Sequence, residues 1–189
     1  MVSQIAQLIV SGVLAGGLYG IISVGLTLIF GVLNLVNFAH GEFLMISMYI
    51  SFWMSEIFNL NPYMSLPIVV AAMFVFGIII QSIFIRPVTE ASHEVQIVIT
   101  LGLSTIMQNS ALMAFSGNLR VLRTPFSESM IEIAGIFINT QRLLTFTLAI
   151  LATIILYLYL TKSYFGKAIR ATAQDSRAAK LAGINVPFV

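Results

Sequence analysis

Residues 34–42 read Asn34-Leu35-Val36-Asn37-Phe38-Ala39-His40-Gly41-Glu42, which sets two carboxamides, an imidazole and a carboxylate at the end of a stretch, residues 1–41, without one formally charged side chain. An ionisable group held deep in an apolar medium costs about 3 kcal/mol or more unless it faces a bundle interior or a wet cavity, so such residues are functional candidates by default. Two readings stand. In the first, Asn34 and Asn37, three apart and with Gly41 four further on, share one helical face, the glycines permit an unwound segment, and Asn34, Asn37, His40 and Glu42 line a path for a polar solute. In the second, His40 and Glu42 mark the cytoplasmic mouth of a span and the asparagines are interhelical hydrogen-bond glue.

A second polar set falls at Thr100, Ser104, Thr105, Gln108, Asn109 and Ser110. This is unusual for a lipid-facing helix and suits one at the centre of a bundle, with Thr100 and Ser104 as further path candidates. A third region, residues 166–184, alternates small and basic residues at helical spacing. Ala168, Ala171, Ala178 and Ala182 are expected to lie near one another, with Lys167, Arg170 and Arg177 pointing elsewhere. Asp175 is placed to cap a second short helix over 176–181, ended by Gly183 at the C′ position. A capped two-piece helix suits docking into another protein's groove, with Gly166, Arg170, Ala171, Asp175, Ala178 and Gly183 as candidate contacts. The blander alternative is a topology determinant that touches lipid headgroups.

Other chemistry is thinly supplied. The chain has no cysteine, which removes disulfides, thiolate metal sites and Cys nucleophiles. His93 beside Glu90 and Glu94 reads as a solvated loop, not a metal site. No Ser/His/Asp or HExxH set points to an enzyme, and Gly166-Lys167 lacks the rest of a phosphate-binding GxxxxGK[ST] loop. No cofactor is expected.

The elements that must position these residues follow from composition. Of 189 residues, 59% are apolar and 8% charged, against about 25% charged in a soluble domain. So few charges cannot coat a globule in water, which excludes a soluble enzyme. Disorder needs the opposite composition, and a net charge of +2 is too small for a nucleic-acid surface. The N-terminus lacks the basic region of a cleavable signal, and the apolar tract behind it is too long for one, so it reads as a retained span.

The fold class expected is an all-α, polytopic membrane protein of about five transmembrane helices, at 5–30, 42–58, 64–85, 95–115 and 143–161, with a broken or re-entrant segment near 31–42. Asn59 to Pro62 reads as a turn. The 117–142 loop, with an Ile131-Glu132-Ile133 alternation and Gly135 before Ile136-Phe137-Ile138, suggests a short extracytoplasmic hairpin. Residues 1–161 form the transmembrane domain and 162–189 a cytoplasmic segment that begins an incomplete second half. Gly12 and Gly16, at GxxxG spacing, read as close helix packing, and the nine methionines as apolar filling.

After the fifth span, Lys162, Lys167, Arg170, Arg177 and Lys180 face a single Asp175, so the positive-inside rule makes this tail cytoplasmic. Arg86 then lies inside, and Arg120, Arg123 and Arg142 lie outside. Five crossings put the N-terminus outside; two crossings within residues 1–41 would put it inside.

Residues 16–45, GGLYGIISVGLTLIFGVLNLVNFAHGEFLM, resemble the N-terminal signature of permeases from branched-chain amino-acid ABC transporters, of the H type more than the M type. GKAIRATAQDSRAAKLAGI resembles their cytoplasmic coupling segment, and TLGLSTIMQN at 100–109 fits their central span. The resemblance runs in order over essentially the whole chain. It implies a bacterial inner-membrane assembly of two permeases, two cytoplasmic ATP-binding subunits and an external substrate-binding protein that delivers leucine, isoleucine or valine; membrane lipid is a further partner and nucleic acid is not. It also implies further spanning helices beyond Val189, so that either the chain is cut short or the missing half is supplied separately. The rival readings are an ABC permease for a sugar or nucleoside, and an ion-driven transporter with His40 and Glu42 as proton relay.

Overall fold

The computed structural model describes residues 2–33, 35–89, 91–122, 124, 126–133 and 135–186. Asn34, Glu90 and Arg123, named above, lie outside them. In chain order the elements are α1 (Val2–Leu33), α2 (His40–Phe58), α3 (Pro62–Ile80), α4 (His93–Phe115), the strands β1 (Met130–Ile133) and β2 (Ile136–Asn139), then α5 (Thr140–Lys162), α6 (Tyr164–Gln174) and α7 (Ser176–Leu181). The chain is thus mostly helical with one small hairpin.

Among the described residues, four stretches are long and apolar enough to cross a membrane: Gln4–Val32, Pro62–Val88, His93–Phe115 and Thr140–Lys162. The α2 helix has 19 residues, a length that also matches a bilayer core, but it carries Glu42 and Glu56. Helices cover the five stretches expected as spans, the third continuing beyond α3 in two further turns, which gives four to five membrane-spanning helices. Asn61 and Asn139 cap α3 and α5 through their side chains, whereas α2 and α4 start without a side-chain cap.

The chain forms two compact units, Met1–Asn34 with Pro125–Val189, and Leu35–Thr124. In the first, α1 packs along α5 and against α6 and β2, and α5 runs into α6. The close approach is at Gly17, where the Phe146 ring of α5 occupies the space a side chain would need, whereas Gly12 and Gly16 have nothing within 4 Å. The expectation for the GxxxG pair is therefore corrected within this unit: the contact is made one residue over. The hairpin has the register Met130↔Asn139 and Ile133↔Ile136, with Gly135 at φ +78° in its turn, a region that favours glycine. Gln7 of α1 is joined to it like a strand residue: its Nε2 donates to the Phe137 carbonyl at 2.6 Å and its Oε1 accepts the Phe137 N–H at 2.9 Å.

In the second unit, α2 packs on α3 and α4. Asn59 ends α2 in the left-handed region at φ 52°, and Asn61 caps α3 through a 3.1 Å bond from the Tyr63 N–H, with Pro62 at the first helical position. The α2–α3 approach is close because it is made by small residues: Ser51 and Ser65 hydroxyls lie 3.4 Å apart, and Ser65 is fully buried. The third span does not end as a plain α-helix. It widens into a π turn over Gln81–Ile85 and then tightens into a 3₁₀ turn over Arg86–Val88. The polar seam of α4, Gln96, Thr100 and Ser104, is buried with Leu103, Met107 and Ala111. Thr105, Asn109 and Ser110 of the same helix are exposed.

Candidate functional site

The polar cluster starts at the break before α2. Leu35 to Ala39 are not helical, and Leu35 and Ala39 are fully buried. Asn37 shapes the break: its Oδ1 accepts the Ala39 N–H at 3.0 Å and its backbone carbonyl accepts the His40 N–H at 3.2 Å. The break falls in the segment near 31–42 expected to be broken, and it takes Asn37 off a helical face. Asparagine competes for its own neighbouring backbone groups, so it sits in the turn and not in the helix. Asn34 lies outside the described residues. His40 is half-buried and opens α2.

Glu42, in the first turn of α2, is only 8% exposed. Its Oε1 accepts from the Ser104 hydroxyl at 2.8 Å and from the Gln108 amide, both on α4. Ser104 and Gln108 are four apart and therefore share a face of α4. Gln108 also lies 3.3 Å from the Ser104 hydroxyl. Both of these interhelical bonds fall on Oε1, and neither α4 side chain is bonded to Oε2. No described Lys, Arg or His nitrogen pairs with Glu42.

One turn before Ser104, fully buried Thr100 donates within its own helix, to the Gln96 carbonyl at 3.0 Å, with the Val36 carbonyl of the break at 3.4 Å. Gln96, a turn earlier again, places its amide nitrogen 3.1 to 3.2 Å from the carbonyls of Val88, Thr89 and Ala91. It satisfies the end of the third span. Of the path candidates, the structure brings Glu42 and Ser104 into contact, places Thr100 against the break that Asn37 shapes, and sets His40 at the start of the same helix. Gln108 and Gln96 belong to the cluster as well. Their signal was visible as the four-residue spacing 96, 100, 104, 108 along α4.

Away from this cluster, Arg120 stands where α4 ends. Its guanidinium lies 5.2 Å from the ring centres of both Phe52 and Trp53, and Nη2 donates to the Phe115 carbonyl at 2.9 Å. Tyr49 stacks on Phe115 at 4.3 Å. The arginine thus clamps α2 to the open carbonyl end of α4.

The third candidate region belongs to the other unit. Ser163 turns the chain between α5 and α6, and its hydroxyl accepts the Gly166 N–H at 2.9 Å. A Cβ on Gly166 would fall onto the backbone of Tyr159 and Leu160, so only glycine fits this corner. Asp175 caps α7, its Oδ1 accepting the N–H groups of Arg177 at 2.9 Å and Ala178 at 3.0 Å. Gly183, at φ +83°, follows the last helical turn. The expected alanine face needs correction. Gly166, Ala168, Thr172 and Ala179 are the buried residues, Ala171 is half-buried, and Ala178 and Ala182 are exposed beside Arg177 and Lys180. The non-helical Asp175 resets the angle between α6 and α7, so one 3.6-residue period does not run through both. Arg170 lines a cleft of about 390 Å³ with Ser23, Thr27 and Gly31 of α1.

The family description "Branched-chain amino acid transport system / permease component" matches residues 8–189. The chain is similar to the high-affinity branched-chain amino acid transport system permease protein BraD of Pseudomonas aeruginosa, 29% identical over 95% of this chain and 62% of that protein. It is likewise 29% identical to the LivH permeases of Salmonella typhimurium and Escherichia coli, over 97% of this chain and 63% of each of them. The chain therefore spans somewhat under two thirds of the length of these relatives. No solved structure matches.

Proposed function

The chain belongs to the branched-chain amino acid transport system permease family, as a multi-pass membrane protein, and on that premise we propose that it is a permease subunit of an ATP-driven importer of leucine, isoleucine and valine in the bacterial inner membrane. What carries the reading is the match from residue 8 to residue 189, in order, to a family and to relatives named for that transport. The sequence has no phosphate-binding loop of its own, so the partners are two cytoplasmic ATP-binding subunits, a second permease and an extracytoplasmic binding protein.

In this reading Asn34, Asn37, His40, Glu42, Thr100 and Ser104 line the substrate path. The packing of α2 on α4 supports it, because an ionisable carboxylate held inside an apolar bundle is a functional candidate by default. Residues 166–183 couple the permease to the ATPase. Gly166, Arg170, Ala171, Asp175, Ala178 and Gly183 form a capped two-helix lever, and closure of the ATPase moves it. Coupling requires that the lever make different contacts in the two states.

The test is uptake of radiolabelled leucine by cells that lack other leucine carriers and express this chain with its natural neighbours. The reading expects uptake that needs ATP and survives an ionophore. Uptake abolished by ionophore with ATP intact would replace it by an ion-driven transporter.

A further inference from the structure

From the Glu42 cluster we infer that this carboxylate is the recognition point for the ammonium group of a zwitterionic α-amino acid. The inference rests on the permease reading above and names the part of the substrate that the site takes. Glu42 is 8% exposed, yet no described cation pairs with it. Its surroundings nevertheless favour a negative charge: Ser104 and Gln108 both donate to Oε1, and the first turn of α2 adds the positive end of the helix macrodipole. These donors both fall on Oε1, orient the carboxyl group and leave acceptor capacity on Oε2. A carboxylate oriented in this way is preorganised for a donor cation, and a primary ammonium supplies three N–H groups and a full charge. The adjoining Thr100 and the Val36 carbonyl add neutral oxygens and no second charge. Sugars and nucleosides lack the cation, so the site discriminates against them.

The experiment labels Glu42 in the complete transporter, in vesicles, with a membrane-permeant carbodiimide, and follows modification by mass spectrometry. Leucine at saturating concentration is expected to slow labelling at least fivefold. 2-Hydroxy-4-methylpentanoate, which carries a hydroxyl in place of the ammonium, is expected to leave the rate unchanged. A parallel assay compares uptake of the two compounds: wild type favours leucine at least tenfold, and Glu42→Gln brings the ratio toward one. The labelling uses wild-type protein, so it decides the matter even where Glu42→Gln does not assemble.

Wild-type leucine uptake with labelling indifferent to leucine overturns this inference alone. So does protection by the other subunits without leucine, which would place a partner's lysine on Glu42. Equal loss of both compounds in a Glu42→Gln transporter that assembles in wild-type amount assigns the residue a structural part and also overturns it. Vesicles that accumulate no leucine overturn the permease reading and this one together.

Discussion

Ser104 and Glu42, 62 positions apart in the chain, meet at 2.8 Å, and Gln108 reaches the same carboxylate oxygen from one turn further along α4. The pair sets the register of α2 against α4, since sliding either helix by one residue would turn the hydroxyl away. Interhelical hydrogen bonds in membranes are worth about 0.6 kcal/mol on average and up to about 1.7. A charged acceptor belongs at the upper end, so Ser104→Ala is expected to lose about 1–2 kcal/mol. Because both donors share Oε1, Ser104→Ala and Gln108→Ala are expected to be non-additive. Thermal unfolding of the purified protein in detergent, run as a double-mutant cycle, checks this; additive losses would mean the donors act independently.

Gly17 and Gly12 provide a comparison of two glycines on one helix. At Gly17 a methyl group would meet the Phe146 ring, and overpacking of this kind costs about 1–3 kcal/mol. At Gly12 nothing stands within 4 Å. Gly17→Ala is expected to lower the melting temperature and Gly12→Ala to leave it unchanged or slightly raised. An equal effect at both positions would refute the α1–α5 contact at Gly17.

The contrast between these glycines shows what the sequence makes legible. The spans could be read because a bilayer demands about 20 apolar residues, and the tail because capping is local: Asp175, the helix Ser176–Leu181 and Gly183 stand where their types and spacing place them. The polar set on α4 marked it as a helix facing others, but only the structure separates buried Thr100 and Ser104 from exposed Thr105, Asn109 and Ser110. Which glycine packs, by contrast, depends on where Phe146 falls, and no periodicity of α1 carries that. Nor did anything near Arg120 announce Phe52 and Trp53, which reach it only through the fold. The break near 31–42 was legible from its asparagines and glycines, and Asn37 lies in it; what the three-residue spacing of the asparagines did not carry is that its carboxamide bonds its own backbone and so leaves the helical face.

Gly166 is held at the α5–α6 corner by sterics alone, without positive φ. Gly166→Ala would drive Cβ into the backbone of Tyr159 and Leu160, which cannot move as a side chain can. The expected cost is about 2–3 kcal/mol, expressed as local release of α6. Limited trypsin digestion of inside-out vesicles should cut at Lys167 and Arg170 several times faster than in wild type. Unchanged digestion would show that the corner has slack.

Asp175 separates capping from charge. Asp175→Ala removes the acceptor for the Arg177 and Ala178 N–H groups and is expected to cost about 1 kcal/mol, enough to unwind a helix of 6 residues. Asp175→Asn keeps a good cap without the charge. In the proposed lever, the alanine variant hydrolyses ATP with reduced leucine uptake, and the asparagine variant retains uptake. Loss in both would make the charge the determinant, and normal uptake in both would remove α7 from coupling.

Orientation is tested most directly with cysteines, because the chain has none of its own. Glu132 of β1 and Lys167 of α6 are both exposed, so Glu132→Cys and Lys167→Cys each present a single reactive thiol without disturbing packing. In the proposed topology, the excess of basic residues after Lys162 puts α6 and α7 on the cytoplasmic side, and one crossing by α5 puts the hairpin outside. A membrane-impermeant maleimide added to intact cells is expected to label Glu132→Cys and to spare Lys167→Cys until the membrane is opened. Labelling of Lys167→Cys in intact cells would put the two short helices on the wrong side for an ATP-driven partner, and the coupling proposal would fall with the orientation.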